Sequence, residues 1–274
     1  MIIYNYKARK LLILSFMALL LILGIYKIRN YIDFPKVIQL LKNGSLAQLN
    51  YSSEYNQGKA YGNTQFNNII FYEGNNTKKQ IALTFDDGPD TVVTPKILDI
   101  LKKNDVKATF FILGNRAQRN PEIVKQILKD GHALGNHSWD HKDLDRLSPD
   151  KIKSEIQKTD NILFSITGYH PAIVRPPYGA ANRKAVQEIG PMGYKVIDWS
   201  VDTLDWMGIP PNIIMYTIKR EIRPGGIILQ HCAGGKKGNL SNTVTALPQI
   251  IEYLKSENYE FVRVPELVGT SPGL

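Results

Sequence analysis

From residue 79 onward the chain alternates short apolar runs with longer stretches that carry apolar residues at helical spacing. The runs are "IALTF" (81–85), "ATFFIL" (108–113), "HALGNH" (132–137), "AIV" (172–174), "YKVIDW" (194–199), "GIILQH" (226–231) and "YEFVRV" (259–264). Between most of them lie helical patterns with their own punctuation. "NPEIVKQILKDG" offers Asn120 as N-cap, Pro121 at the first helical position and Gly131 at the end. "SPDKIKSEIQKTDNILFSITG" repeats the Ser-Pro start and the Gly end. "TVVTPKILDILKKN", "PPNIIMYTIKREIRPGG" and "TVTALPQIIEYLKSEN" complete the set. Strand and helix alternate about seven times, at a period of some 20 to 40 residues. That pattern predicts an α/β fold with a parallel sheet. Seven or eight units without a dinucleotide-binding fingerprint favour a (β/α) barrel over an open sheet.

In such a barrel the chemistry sits at the C-terminal ends of the strands. The polar residues of this sequence cluster there. Asp86 and Asp87 end the first strand, His137 ends the third and Arg175 follows the fourth; Asp202 and Asp205 follow the fifth, and His231 ends the sixth. Two adjacent acids at the mouth of a buried strand repel each other and lose hydration, which is costly unless something compensates. "HSWDH" supplies a candidate, because His137 and His141 are four apart, one helical turn, and both imidazoles can face one point. Two His and one Asp form a three-ligand set with an open coordination position, as catalytic zinc sites do. A cation there would neutralise one acid and leave the other free as a base. Spacing alone does not assign the two roles.

The remaining motifs are weaker singly. "RPPYG" (175–179) reads as a rigid loop whose Arg175 could hold a carboxylate through its planar fork. "DTLDW" (202–206) offers an acid to a histidine across the barrel mouth. His231, paired with a carboxylate, would have a raised pKa and could act as a general acid. His132 and His170 fit no constellation and read as structural; Asp90, Asp140, Asp143 and Asp145 read as caps and solvated loop acids.

The first part of the chain has another texture. Residues 1–30 hold Lys7, Arg9, Lys10, Lys27 and Arg29 and no acid, so five of the nine net positive charges lie there. The remainder carries only +4 with no basic stripe, which argues against nucleic-acid binding. The basic residues bracket sixteen uncharged residues, 11–26, with no polar face. With no small-residue cleavage site after Tyr26, the segment (1–30 with its flanks) is expected to be an uncleaved membrane anchor. Residues 31–78, rich in Asn, Gln, Tyr and Ser, read as a stem, and 79–270 as the catalytic domain. One cysteine, Cys232, excludes an intramolecular disulfide and reads as a small buried residue.

"TFDDGP", "HSWDH", "RPPYG", "DTLDW" and "IILQH", in this order, resemble the five motifs of the NodB-like polysaccharide deacetylases, carbohydrate esterase family 4. The resemblance spans about residues 79–268 and implies a distorted (β/α) barrel, often short of eight units. It implies Asp86 as catalytic base and Asp87, with His137 and His141, as ligands of a divalent metal, zinc foremost and cobalt or nickel as alternatives. It further implies Arg175 paired with Asp86 and a Tyr178 main-chain N–H at the oxyanion. Asp205 would tune the general acid His231, and Trp206 and Leu229 would wall the pocket for the acetyl methyl. The substrate class is an N-acetylated glycan polymer, peptidoglycan N-acetylglucosamine foremost; chitooligosaccharide, muramic acid and exopolysaccharide are the alternatives. A monomer is expected, held at a bacterial membrane by one span with its catalytic domain outside, facing the wall. A glycan-binding pseudoenzyme would need neither base nor acid. A two-His-one-carboxylate iron oxygenase would show a jelly-roll strand pattern, and this sequence has none.

Overall fold

The computed structural model describes residues 69–180 and 183–274. The apolar segment 11–26 and residues 31–68 of the stretch read as stem lie outside the described residues. Among the described residues no helix is long and apolar enough to cross a membrane.

The elements run β1 (Ile70–Phe71), β2 (Gln80–Gly88), α1 (Val93–Lys103), β3 (Thr109–Ile112), α2 (Gly114–Arg119), α3 (Pro121–Lys129) and β4 (Ala133–Asn136). Then come α4 (Pro149–Thr167), β5 (Ile173–Val174), α5 (Arg183–Ile189), β6 (Lys195–Ile197), β7 (Val201–Asp202) and α6 (Pro211–Glu221). The chain closes with β8 (Gly226–His231), α7 (Ser241–Ser256), β9 (Glu260–Phe261) and α8 (Val264–Val268). Strand order is β1-β6-β5-β4-β3-β2-β8-β7, with β9 beside the start of β2, and the pairings are parallel. The alternation seen in the sequence therefore does build a parallel α/β sheet.

Strand β2 shows why its run is apolar but for Thr84. Ile81, Leu83 and Phe85 point outward into one core cluster with Ile97 and Leu101 of α1 and Ile250 and Leu254 of α7. Ala82, between them, points inward with Phe111, Ile173, Ile197 and Ile227. A strand covered on both faces has no polar face to show. The inward faces converge. Arg175, just past β5, reaches Asp86 on β2 at 2.7 Å, although β4 and β3 lie between the two strands. In a flat sheet strands three positions apart lie roughly 14 Å from each other, so the sheet must curl for one side chain to span them.

Among the described residues the sheet is a curled half-barrel rather than a closed one. Its hydrogen-bonded path begins at β1 and ends at β7. Two short strands were not anticipated. β1 lies inside the stretch that reads as stem and pairs with β6, so the sheet starts before residue 79. β7 comes from the "DTLDW" approach and pairs with β8. The last apolar run splits: only Glu260–Phe261 is strand, and Val264 already begins α8.

Candidate active site

Consecutive residues of a regular strand point to opposite faces, so Asp86 and Asp87 should not share a space. They do because the end of β2 is irregular. Its register against β3 slips between Phe85 and Gly88, and Asp87 takes a left-handed φ of 69°. A bulge of this kind re-aims one side chain, and Asp tolerates the left-handed region better than most residues. Both carboxylates then approach His137 Nε2: Asp86 Oδ2 at 3.7 Å and Asp87 Oδ1 at 3.4 Å.

His141 Nε2 lies 3.2 Å from the same Asp87 oxygen. The two histidines do not meet by the helical turn that their spacing suggested. His137 follows β4, and residues 138–141 form a loop in which Ser138 (φ 69°) and His141 (φ 65°) are left-handed. A loop with two reversals brings together what a helix would have brought by periodicity.

Asp87, His137 and His141 offer one ligand atom each, all within 4.8 Å of one another. Three observations fit them to a divalent cation. His137 Nδ1 donates to the Arg175 carbonyl at 2.6 Å, which leaves the Nε2 lone pair directed at Asp87. Asp87 Oδ1 is buried and has no hydrogen-bond partner. Finally, the 3.2 and 3.4 Å separations match the roughly 3.3 Å expected between donors placed tetrahedrally about 2.0 Å from zinc. Burial would push the Asp87 carboxyl up, but the two imidazoles beside it, with His231 behind them, outweigh it and hold the group well below the usual carboxylate range.

Asp86 is held from the other side. Arg175, fully buried, donates Nη1 to Asp86 Oδ1 (2.7 Å) and Thr84 Oγ1 (2.8 Å). Its Nη2 donates to the Asp198 carbonyl (3.0 Å) and its Nε to the Ile197 carbonyl (3.3 Å). The guanidinium also lies over the Phe111 ring, 4.1 Å from its centroid. The side chain that the sequence reading would by itself have left on the surface is the largest fully buried one described.

Asp86 pairs in register with His231 on β8. His231 Nδ1 and main-chain N–H both go to Asp205, at 2.8 and 2.9 Å. Asp205, wholly buried, also accepts from Thr243 Oγ1 (2.8 Å) and the Trp206 N–H (2.9 Å). Burial alone would lower the His231 pKa, but Asp205, with Asp87 and Asp86 behind it, pushes it up from 6.5 to about 10. The sign follows from linkage. The protonated pair's contribution to stability is complete below pH 6.5 and is lost as pH climbs through about 10. Asp205→Asn should therefore bring the histidine's titration to lower pH. The alkaline limb of the pH–rate profile should move with it; an unmoved limb would show that another group donates the proton.

Tyr178 follows at the rim, with φ 62° and its exposed ring edge-on to His141 at 4.6 Å. Leu229 is buried two residues before His231 and so shares its face of β8, while Trp206 is 44% exposed on the short turn Asp205–Met207. His132 and His170 stay out of the site, as expected. His132 accepts the Ala108 N–H, and burial lowers its pKa to about 4; His170 pairs with Asp160 at 2.7 Å. Asp90 is a cap, taking the N–H groups of Val92, Val93 and Thr94. Asp140 and Asp143 pair with Lys142 and Arg146. Cys232 is buried.

Sequence reasoning passed over Asp198 and Thr243. Asp198 ends the run "YKVID", and a polar strand end was the available signal; burial pushes its carboxyl up to about 7 despite the Arg175 charge beside it. Thr243 lies on α7, 38 residues from the aspartate it holds, and gave no signal.

Residues 73–197 match the family model described as polysaccharide deacetylase. A peptidoglycan-N-acetylglucosamine deacetylase of Bacillus cereus is 42% identical over 200 residues, 73% of this chain and 72% of the relative. A Listeria monocytogenes protein of the same description is 44% identical over 193 residues, 70% of this chain but 40% of that longer protein. Among solved structures, a peptidoglycan N-acetylglucosamine deacetylase in complex with 4-naphthalen-1-yl-N-oxidanyl-benzamide superposes with a TM-score of 0.72 at 40% identity, covering 75% of this chain and 95% of the other. The sheet, the carboxylate pair and these likenesses agree: the chain belongs to the polysaccharide deacetylases, the NodB-like carbohydrate esterase family 4, and is a deacetylase.

Proposed function

We propose that the enzyme hydrolyses the N-acetyl groups of N-acetylglucosamine in peptidoglycan, releasing acetate and leaving free amines on the glycan. The observation that carries the reading is the placement of Asp86 and His231 opposite each other on adjacent strands, beside the Asp87–His137–His141 cluster. One carboxylate is tied to an arginine, one histidine to an aspartate, and a third set of donors lies within reach of both. The B. cereus and L. monocytogenes relatives support the substrate.

A divalent cation held by Asp87, His137 and His141, zinc first and cobalt or nickel as alternatives, would acidify a water and polarise the acetyl carbonyl. Asp86 is the base that takes the proton of the attacking water, with its Oδ1 fixed by Arg175 and its Oδ2 on the His137 side. The main-chain N–H of Tyr178, as the family resemblance implies, would donate to the oxyanion that develops on the acetyl carbonyl oxygen. As the C–N bond breaks, His231 gives its proton to the departing nitrogen, and Asp205 keeps the imidazole charged until then. Leu229 and Trp206 wall the pocket for the methyl group. The inputs are water and an acetamide; the products are acetic acid and an amine.

Purified protein should release acetate from peptidoglycan faster than from chitooligosaccharide or exopolysaccharide. Chelation should abolish the release, and Zn²⁺ or Co²⁺ should restore it. Equal activity after complete metal removal would overturn the mechanism, and acetate release confined to another polymer would overturn the substrate.

The uncharged segment 11–26 supports a location at a bacterial membrane, with the glycan outside it as partner. Recovery of a shortened protein free in the medium would remove the anchor.

A further inference from the structure

The loop that carries the two histidines has an accounting problem. Residues 138–141 belong to neither strand nor helix; Ser138 is buried, Trp139 and His141 are half-buried and Asp140 is exposed, and Ser138 and His141 are left-handed non-glycine residues. Such backbone persists only where its surroundings over-determine it, and each buried N–H must find an acceptor. Among the described residues no main-chain carbonyl serves. The Ser138 N–H goes to Asn136 Oδ1 at 2.9 Å, and the His141 N–H to Ser138 Oγ at 3.2 Å. The two between them, from Trp139 and Asp140, both go to one atom, Glu155 Oε2, at 3.1 and 3.4 Å.

Glu155 lies on α4 and is 6% exposed. Its other oxygen accepts from Lys142 Nζ at 3.0 Å, just past His141, so one carboxylate grips the loop on both sides of that histidine. The opposite edge of the loop is held by main chain. The Gly114 and Asn115 N–H groups donate to the Ser138 and Trp139 carbonyls, each at 3.0 Å. Packing leaves no slack, since a Cβ on Gly114 would come within 2.5 Å of Trp139 and 2.6 Å of Thr159 on α4. Asn136, whose side chain starts the series, in turn donates to the Ile156 carbonyl of the same helix at 2.9 Å.

We infer that Glu155 is a positioning residue for the metal centre: a buried anion on α4 that fixes the 138–141 loop, so that His141 Nε2 meets Asp87 in a shape ready for the cation. The inference rests on the metal-site reading above. Glu155 touches neither the ligand atoms nor the space for substrate. It acts through main chain, which is why no spacing rule in the sequence points to it.

Glu155→Gln keeps the size of the side chain but puts an NH₂ where one of the two oxygens accepted. Zinc affinity, measured by competition with a chromogenic chelator, should fall by about tenfold or more, the scale of lost support behind metal ligands. The cobalt-substituted protein should show a changed visible absorption spectrum. The metal-free variant should melt close to metal-free wild type, while the gain in Tm on adding zinc shrinks. Turnover at saturating zinc should largely return, which Asp87→Asn would not allow. Zinc affinity within twofold of wild type, or equal losses of Tm with and without zinc, would overturn the inference and leave Glu155 a fold residue only. If Glu155→Gln yields no folded protein, Lys142→Met, at a half-exposed position, reads the same grip. It should weaken zinc binding by a few-fold, and unchanged affinity there would overturn the inference equally. Failure of wild type to bind zinc would instead remove the metal site itself.

Discussion

Asp86→Asn is expected to lose turnover by about 10²–10⁴-fold without losing affinity for a divalent metal, because in the proposed mechanism the substitution removes the base and leaves Asp87, His137 and His141 in place. The carboxamide keeps an oxygen toward Arg175 Nη1, so the contact at 2.7 Å can survive in shape. What goes is the negative charge and, with it, the capacity to take a proton. Asp87→Asn should fail differently. Its Oδ1 is the oxygen that faces both imidazoles, at 3.4 and 3.2 Å, and a neutral amide there should cost the metal. Metal content by plasma emission, read beside kcat for both variants, separates the two aspartates. If Asp86→Asn lost the metal and Asp87→Asn kept it, the assignment would be reversed; normal metal in both would sink the ligand set.

Arg175→Met should destabilise the folded domain by about 3–5 kcal/mol, the scale for removing one partner of a buried ion pair. For a domain of this size that is a fall in Tm of roughly 10 °C. The reason is the absence of alternatives. Arg175 is fully buried, is ion-paired at 2.7 Å to an Asp86 that is itself 3% exposed, and is the nearby cation for Asp198. Arg175→Lys should recover little, because one ammonium cannot serve acceptors on Thr84, Asp86, Ile197 and Asp198 that the planar fork reaches together. The pH dependence has a definite sign. Burial raises the Asp198 carboxyl from 3.8 to about 7 even with the arginine beside it, and without that charge ionisation becomes harder still. The deficit in Tm should therefore narrow at pH 5, where Asp198 is protonated, and widen at pH 8. Calorimetry at the two pH values tests this. An Arg175→Met domain as stable as wild type would mean that the buried carboxylates are neutral in the native state.

Much of the site was legible because strand ends are legible. A parallel strand covered on both faces reads as an apolar run, and the first polar residue past it falls at the mouth of the sheet; Asp86, His137, Arg175 and His231 were all found in this way. The resemblance then assigned roles that position alone left open. The burial of Arg175 was not legible. A loop arginine after two strand residues looks solvated, and only the curl of the sheet encloses it. Asp198, Thr243 and Glu155 escaped for related reasons. Each acts by a contact between elements far apart in sequence, and Glu155 acts on main-chain N–H groups that every residue possesses.

The sequence by itself determined the alternation of the main strands and helices, the parallel sheet, and which residue types gather at its C-terminal edge, because apolar periodicity and helix punctuation are local properties. The tertiary structure decided how those residues face one another. A register slip and a left-handed residue at the end of β2 turn two neighbouring carboxylates into one space. Two reversals in the 138–141 loop, rather than a helical turn, bring His141 to His137. Among the described residues the path of strands stops at β1 and β7 without closing, since closure depends on pairing between the ends of the sheet and no local pattern encodes it. Local patterns specify single elements; the distances that make a base, an acid and a ligand set arise where several elements are packed at once.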